Sequence, residues 1–283
     1  MYLLAIDIGG TTFSFSLFKD NHLFLNSDNY DITKYIDHEI LFKDLYLVVR
    51  EKIDIGLISK IGIACPGPLD LASGTILNTP NLKFLRNVNI KDELKKHFNI
   101  KDIHVEHDAN VYTLGFYNRL TTKNKDDVVL GITLGTGIGF GIIINEKLFK
   151  GSYGMSGEYE RSPVLNDKTW ADLIGRDFFE LITQLYFKKN VTPKELFELA
   201  NDNNSKALNI WKNYGNNIGK CLCHVIGLLN PNYISIGGGV SKANKYFHNY
   251  IIKALEKHCL IYDKKKINIS YDETNLNIFY GWV

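Results

Sequence analysis

Apolar and polar residues alternate with period two in three short runs near the amino terminus. YLLAID (2–7), FSFSLF (13–18) and HLFLN (22–26) read as the strands of a meander, with turns at GGTT (9–12) and at residues 19–21. The period then lengthens, and Ile40, Leu41, Leu45, Val48 and Val49 fall on one stripe of a helix over about 36–54. KIGIAC (60–65) is a strand ending at PGP. The loop LASGTILNTPNLKF follows, and a short helix lies near 90–98. A strand over 102–107 leads into a helix at about 109–120. The order then repeats. VVLGITL (128–134), GFGIII (139–144) and KLF (147–149) form a second meander, and helices follow at about 170–187, 192–201 and 205–229. Thr192 and Glu195 flank Pro193 as a capping box with proline at the first helical position. YISI (233–236) is a strand, a helix covers about 242–258, and INISY (267–271) is the last strand. Two halves of this kind imply a duplicated α/β fold with its border in 117–127, hence domains at 1–117 and 118–283.

Composition adds mainly exclusions. A chain of 283 residues with 45% hydrophobic and 23% charged residues has room for two globular domains. A net charge of +2, with no Lys/Arg block standing out, argues against a nucleic-acid partner. The amino terminus lacks a basic n-region, and no run approaches the roughly 20 apolar residues of a membrane span. Cys65, Cys221, Cys223 and Cys259 are scattered, and Cys221 and Cys223, two apart on a helix, diverge. A reduced, cytoplasmic protein without a membrane partner fits this pattern best.

Three strand ends carry glycine. Gly9, Gly10, Thr11 and Thr12 close the first hairpin, and Gly135, Thr136, Gly137 and Gly139 close its counterpart in the second half. Gly237, Gly238 and Gly239 lie between a strand and a helix. Glycine lets backbone N–H groups approach an anion closely, so each turn is a candidate phosphate cradle, although any tight hairpin can hold glycine. Neither the dinucleotide fingerprint nor a P-loop is matched: GNNIGK at 215–220 is one residue short. Two matched turns in a duplicated fold, plus a third glycine loop, suggest two domains that grip the phosphates of one nucleotide.

Asp108, in VEHDANVY, stands where a strand hands over to a helix. Position alone favours an N-cap. The alternative is a base at the carboxyl end of a strand, where open α/β sheets keep their ligands.

AIDIGGT, GIACPGPLD with NTPNL, EHDAN, LGITLGTGIGFGIIINEKLFKG, GEYE and LNPNYISIGGGVS fall in the order of the ROK (repressor, open reading frame, kinase) family of sugar kinases, which this chain resembles over nearly its whole length. The resemblance implies an actin-like, ribonuclease H-like fold of two α/β domains around a cleft, closing on sugar and ATP. It implies a kinase that phosphorylates the 6-hydroxyl of a hexose or N-acetylhexosamine, with Asp108 as catalytic base. Asp7 resembles the acid that helps place Mg²⁺ and the ATP phosphates, through water. Gly9, Gly10, Thr11, Thr12, Gly135, Thr136, Gly137 and Gly139 look like the two phosphate loops, and Gly237, Gly238 and Gly239 like the loop beside adenosine. Asn81, His107, Asp108, Glu158 and Arg161 fall at sugar-side positions. The helix-turn-helix of the family's repressors is not expected, because the first strand of the resemblance starts at Tyr2, and a homodimer is one assembly the chain can adopt.

Three departures qualify the resemblance. Many family members have Asn where His107 stands, and a sugar- and zinc-binding histidine where Arg161 stands. The cysteine-rich zinc loop is replaced by SPVLNDKTWADLIG, and the usual acidic sugar ligand beyond it has no clear counterpart, although Asp172 lies nearby. Between Gly157 and Gly175 there is neither Cys nor His. The expected cofactors are therefore ATP and Mg²⁺ without zinc, the loop being held by Trp170 and a polar contact from Arg161 to a sugar oxygen, Glu158 or Glu160. Zinc-free relatives include kinases of N-acetylmannosamine, so that sugar stands beside glucose as a candidate. The competing expectation is a non-catalytic sugar or nucleotide sensor of the same fold.

Overall fold

Each half begins with the meander that the alternation places there. The computed structural model describes residues 1–79, 82–152 and 154–283, so the expectation for Asn81 lies outside the described residues. Strand β1 (Tyr2–Ile8) pairs antiparallel with β2 (Thr12–Lys19), to which β3 (His22–Asn26) and the short β4 (Tyr30–Asp31) add. Helix α1 (His38–Arg50) is shorter than expected, because the Asp37 side chain accepts the Glu39 N–H and fixes its start. Its buried stripe is Leu41, Phe42, Leu45 and Val49; Ile40 faces out, so the stripe is rotated from the expected one.

Strand β5 (Ile58–Cys65) runs parallel to β1. The loop after it contains β6 (Leu69–Asp70), β7 (Thr75–Ile76) and β8 (Val88–Asn89), which form a small sheet of their own. Strands of two residues span a single period, and no alternation could reveal them. Asn89 caps α2 (Ile90–Phe98), β9 (Ile103–His107) lies parallel to β5, and α3 (Asp108–Arg119) follows without a break. The sheet order among the described residues is β3-β2-β1-β5-β9.

In the second half, β10 (Val128–Leu134), β11 (Ile138–Ile144) and β12 (Lys147–Leu148) repeat the meander, and β13 (Pro163–Leu165) pairs with β14 (Lys168–Thr169). The helix expected over 170–187 is divided at Gly175 into α4 (Trp170–Ile174) and α5 (Arg176–Phe187). The break is built in: the Arg176 N–H turns away to the Thr136 carbonyl. Helices α6 (Pro193–Asn201) and α7 (Ser205–Leu229) precede β15 (Tyr233–Gly237). A 3-10 turn, Gly239–Ala243, leads into α8 (Asn244–His258), then come β16 (Asn268–Tyr271) and α9 (Asn277–Tyr280). The order β12-β11-β10-β15-β16 repeats the plan of the first sheet, an antiparallel meander followed by parallel strands.

The chain divides into two compact units. One comprises Met1–Arg119, Lys150–Met155 and Leu276–Val283; the other comprises Leu120–Phe149 and Ser156–Asn275. In the first, alternate residues of β1 serve opposite faces. Leu4, Ile6 and Ile8 join the core with α1 and α2, while Ala5 joins Val111 of α3 and Ile278 of α9. That second face is tight: a Cβ on Gly115 would lie 1.7 Å from the Asn277 carbonyl oxygen. In the second unit, α7 buries Ile210, Trp211, Tyr214, Ile218 and Leu222. Gly215 and Gly219 of GNNIGK let α8 approach, since added Cβ atoms would lie 2.4 Å from the Phe247 carbonyl oxygen and 2.6 Å from the Ala254 Cβ. Among the described residues no helix is long and apolar enough to cross a membrane.

Candidate active site

Strands β1, β5 and β9 are parallel neighbours, so their carboxyl ends open on one edge of the first unit. Asp7 of β1 is in register with Ala64 of β5, and Ala64 with Glu106 of β9. Asp108 follows as the first residue of α3, half-buried, and its Oδ1 accepts the Ala109 N–H at 2.7 Å. Burial first, and repulsion from Asp108 second, push the Asp7 carboxyl up to about 7. The buried Cys65 thiol is also pushed well up, by burial and then by Asp108, Asp7 and Glu106. Three carboxylates thus act on one thiol at the end of the central strand.

His107 lies just before Asp108 and is 7% exposed, with its Nε2 buried and without a hydrogen-bond partner among the described residues. Its ring rests on Gly67: a Cβ there would fall 2.3 Å from Cε1. The glycine of PGP therefore makes room for the histidine.

The glycine turns separate into two kinds. The hairpin of residues 9–12 closes with Gly9 N–H donating to the Thr12 carbonyl at 2.8 Å, and the Thr11 carbonyl takes the Ile32 N–H. In the second unit Gly135 N–H donates to the Gly137 carbonyl at 3.0 Å. Gly238 has φ +85°, and a Cβ on it would lie 2.3 Å from the Leu134 carbonyl oxygen, so the fold itself demands glycine there. At Gly135, Gly137 and Gly239 a Cβ would meet nothing within 4 Å among the described residues. Protein packing gives no reason for glycine at those three positions. Gly237 ends β15 opposite Thr133.

Glu158 opens the 3-10 turn Glu158–Arg161 behind Gly157, whose φ of +95° and 2.2 Å approach of a Cβ to the Phe140 carbonyl oxygen also require glycine. Glu160 is pushed up to about 8, by burial first and the neighbouring Glu158 second. The exposed Arg161 places its Nε 3.8 Å from Glu160 Oε1, one of the partners expected for it. Trp170 is buried and meets His224 edge-on, and the His224 Nδ1 lies 2.9 Å from the Tyr159 hydroxyl. Asp172 is engaged in a capping box with Thr169, whose N–H and hydroxyl hold its carboxyl below the ordinary range. The thiols are less scattered than their spacing implied. Cys223 and Cys259 are neighbours, and burial and then Cys259 push the Cys223 thiol up to about 11. Among the described residues no three His, Cys, Asp or Glu side chains are grouped to hold a metal.

The structure thus brings together Asp7, His107 and Asp108 in one unit, and Glu158 with Arg161 in the other. Glu106 escaped the sequence reading, and Glu160 entered it only as one expected partner of Arg161. A charged residue in a strand carries no signal of its burial, and Glu160 sits in a motif read for its neighbour.

The ROK family model matches residues 3–163 and 175–273. The chain belongs to the ROK family. A relative in this family, the glucokinase of Thermotoga maritima, is 27% identical over 86% of this chain and 83% of its own length. The N-acetyl-D-glucosamine kinase of Histophilus somni is 26% identical over 90% of this chain and 89% of its own. The crystal structure of a ROK family glucokinase from Streptomyces griseus, in complex with glucose and AMPPNP, superimposes with a TM-score of 0.85 at 21% identity, covering 99% of this chain and 97% of that one. The fold is the duplicated actin-like, ribonuclease H-like α/β fold of ROK sugar kinases.

Proposed function

We propose that this chain is an ATP- and Mg²⁺-dependent sugar kinase that phosphorylates the 6-hydroxyl of a hexose or N-acetylhexosamine, with glucose and N-acetylmannosamine as first candidates. The carrying observation is the pair of carboxylates, Asp7 and Asp108, at the carboxyl ends of parallel strands β1 and β9. Asp108 is the base: as the sugar oxygen attacks the γ-phosphorus and the bond to the leaving ADP breaks, its carboxylate takes the hydroxyl proton. Asp7, raised by burial and by Asp108, gains from a nearby cation, which fits a role toward Mg²⁺. When bound with ATP, that ion neutralises phosphate charge.

Residues 9–12, 135–139 and 237–239 are assigned to the nucleotide. The bare surface at Gly135, Gly137 and Gly239 supports this, since a side chain there would block N–H groups from an anion. His107, Glu158, Arg161 and Asn81 are assigned to the sugar. The relatives named glucokinase and N-acetyl-D-glucosamine kinase support the substrate class.

The test is ADP release, by a coupled assay, from a panel of hexoses and N-acetylhexosamines including N-acetylglucosamine. The expected outcome is turnover confined to a few sugars. Sugar-dependent thermal stabilisation without ADP release from any of them would instead establish the non-catalytic sensor.

A further inference from the structure

Glu106 is a buried charge that the proposed reaction does not use. It is 6% exposed and lies two residues before Asp108. Its Oε1 accepts the His107 N–H at 3.0 Å and the Asn110 side-chain amide at 3.1 Å, so it bonds residues on both sides of the base. Its Oε2 takes a short contact from the Lys150 ammonium, 44 residues away in the chain. Lys150 opens Lys150–Met155, a six-residue segment that belongs to the first unit while the chain on either side of it belongs to the second. A second attachment of the segment is Gly154, where a Cβ would come 3.1 Å from Leu71.

We infer that Lys150 is a positioning residue for the base: through its ion pair with Glu106 it locks the strand-to-helix junction that carries Asp108. A carboxylate at this depth is stable only while paired and fully hydrogen-bonded. Without the ammonium, Glu106 must turn toward water, and its bonds to His107 and Asn110 loosen with it. Asp7, Asp108 and Cys65 surround the same place from β1, α3 and β5, and none of them supplies a positive charge to take the ammonium's part. Lys150 itself is 44% exposed, so its loss opens no cavity and the fold tolerates it. Displacement of a catalytic group by as little as about 1 Å can cost roughly 100-fold in rate.

The rate readout rests on the kinase reading; a second readout does not. Lys150→Met, Lys150→Arg and Glu106→Gln are compared with the wild type for kcat, for KM of sugar and ATP, and for amide hydrogen exchange at His107 and Ala109. Lys150→Met is expected to lower kcat by about 10- to 100-fold with KM for ATP unchanged, and to speed exchange at both amides. Lys150→Arg, which keeps the charge, is expected to restore both. Glu106→Gln combined with Lys150→Met should be no worse than the single variants, because the two residues act as one unit. Wild-type kcat in folded Lys150→Met, or exchange at His107 and Ala109 as slow as in the wild type, overturns the inference. If the wild type phosphorylates no sugar, the kinase reading fails separately, and the exchange comparison alone decides whether Lys150 locks the junction.

Discussion

Asp7 carries a stability cost that can be measured. Its carboxyl stands at about 7 in the folded chain against an ordinary 3.8, through burial and then repulsion by Asp108. The folded state therefore binds the proton more tightly than the unfolded state. Asp7 adds nothing unfavourable below about pH 4, destabilises progressively as pH rises toward 7, and does so fully above it. A difference of about 3 pKa units at 1.36 kcal/mol each sets an upper bound of about 4 kcal/mol. Because the residue is half-buried, a loss of about 2 kcal/mol between pH 5 and pH 8 is a fair working figure. Asp7→Asn keeps the shape and removes the charge. Urea unfolding followed by circular dichroism at both pH values should find the variant more stable at pH 8 and flatter with pH. Glu160, raised to about 8, gives a trend of the same sign but is present in both proteins and cancels in the difference. The same substitution should weaken binding of Mg–ATP, a trade of function against stability. An Asp7→Asn protein no more stable than wild type at pH 8, or with the wild-type slope, would refute the reasoning.

Asp108→Asn should fold and bind nucleotide but lower kcat by about 100-fold or more in the coupled assay; a wild-type rate would reduce Asp108 to a helix-end residue. Gly135→Ala should leave the unfolding midpoint unchanged, because its Cβ meets nothing within 4 Å, yet weaken ATP binding in calorimetry. Gly238→Ala should lower the unfolding free energy by about 1–3 kcal/mol, because its Cβ would press on the Leu134 carbonyl at a φ of +85°. Equal effects of the two alanines on stability would remove the distinction between glycines that serve the fold and glycines left bare for a ligand.

The repeat was legible because hydrophobic periodicity survives in both halves: β1 with β2, and β10 with β11, form where the alternation is cleanest. Boundaries set by a single hydrogen bond were not legible. Gly175 inside an apolar helical pattern gave no sign that the next N–H would leave for Thr136, and Lys242 and Ala243, good helix formers, belong to the 3-10 turn before α8. The return of Leu276–Val283 to the first unit left no periodic trace either, since it depends on Gly62 and Gly115 being bare enough to receive Trp282 and Asn277. Of the proposed site residues, Asp7, Asp108 and the hairpin glycines were put forward from motif order. The Lys150–Glu106 pair was not, because a contact between residues 44 positions apart has no local pattern.

The sugar-side departures are connected by the geometry. The segment after GEYER, which has neither Cys nor His, is held by Trp170 against His224, by the Tyr159 hydroxyl on His224 Nδ1, and by the capping box of Thr169 and Asp172. Asp172 is thereby committed: with its carboxyl held low by the Thr169 N–H and hydroxyl, turning it toward a ligand would cost the cap, about 1 kcal/mol. Arg161 leans on Glu160 only loosely, at 3.8 Å, and its exposed side chain cannot fix a buried hydroxyl by itself. His107 differs from both. Its ring is fixed by Gly67, and its Nε2 is buried without a partner among the described residues; a buried polar atom left unpaired costs about 1–3 kcal/mol. A hydroxyl or amide of the right configuration would recover that free energy, and a substrate lacking one would leave the atom unpaired. Discrimination among sugars in this chain should therefore fall on His107 before Arg161 or Asp172.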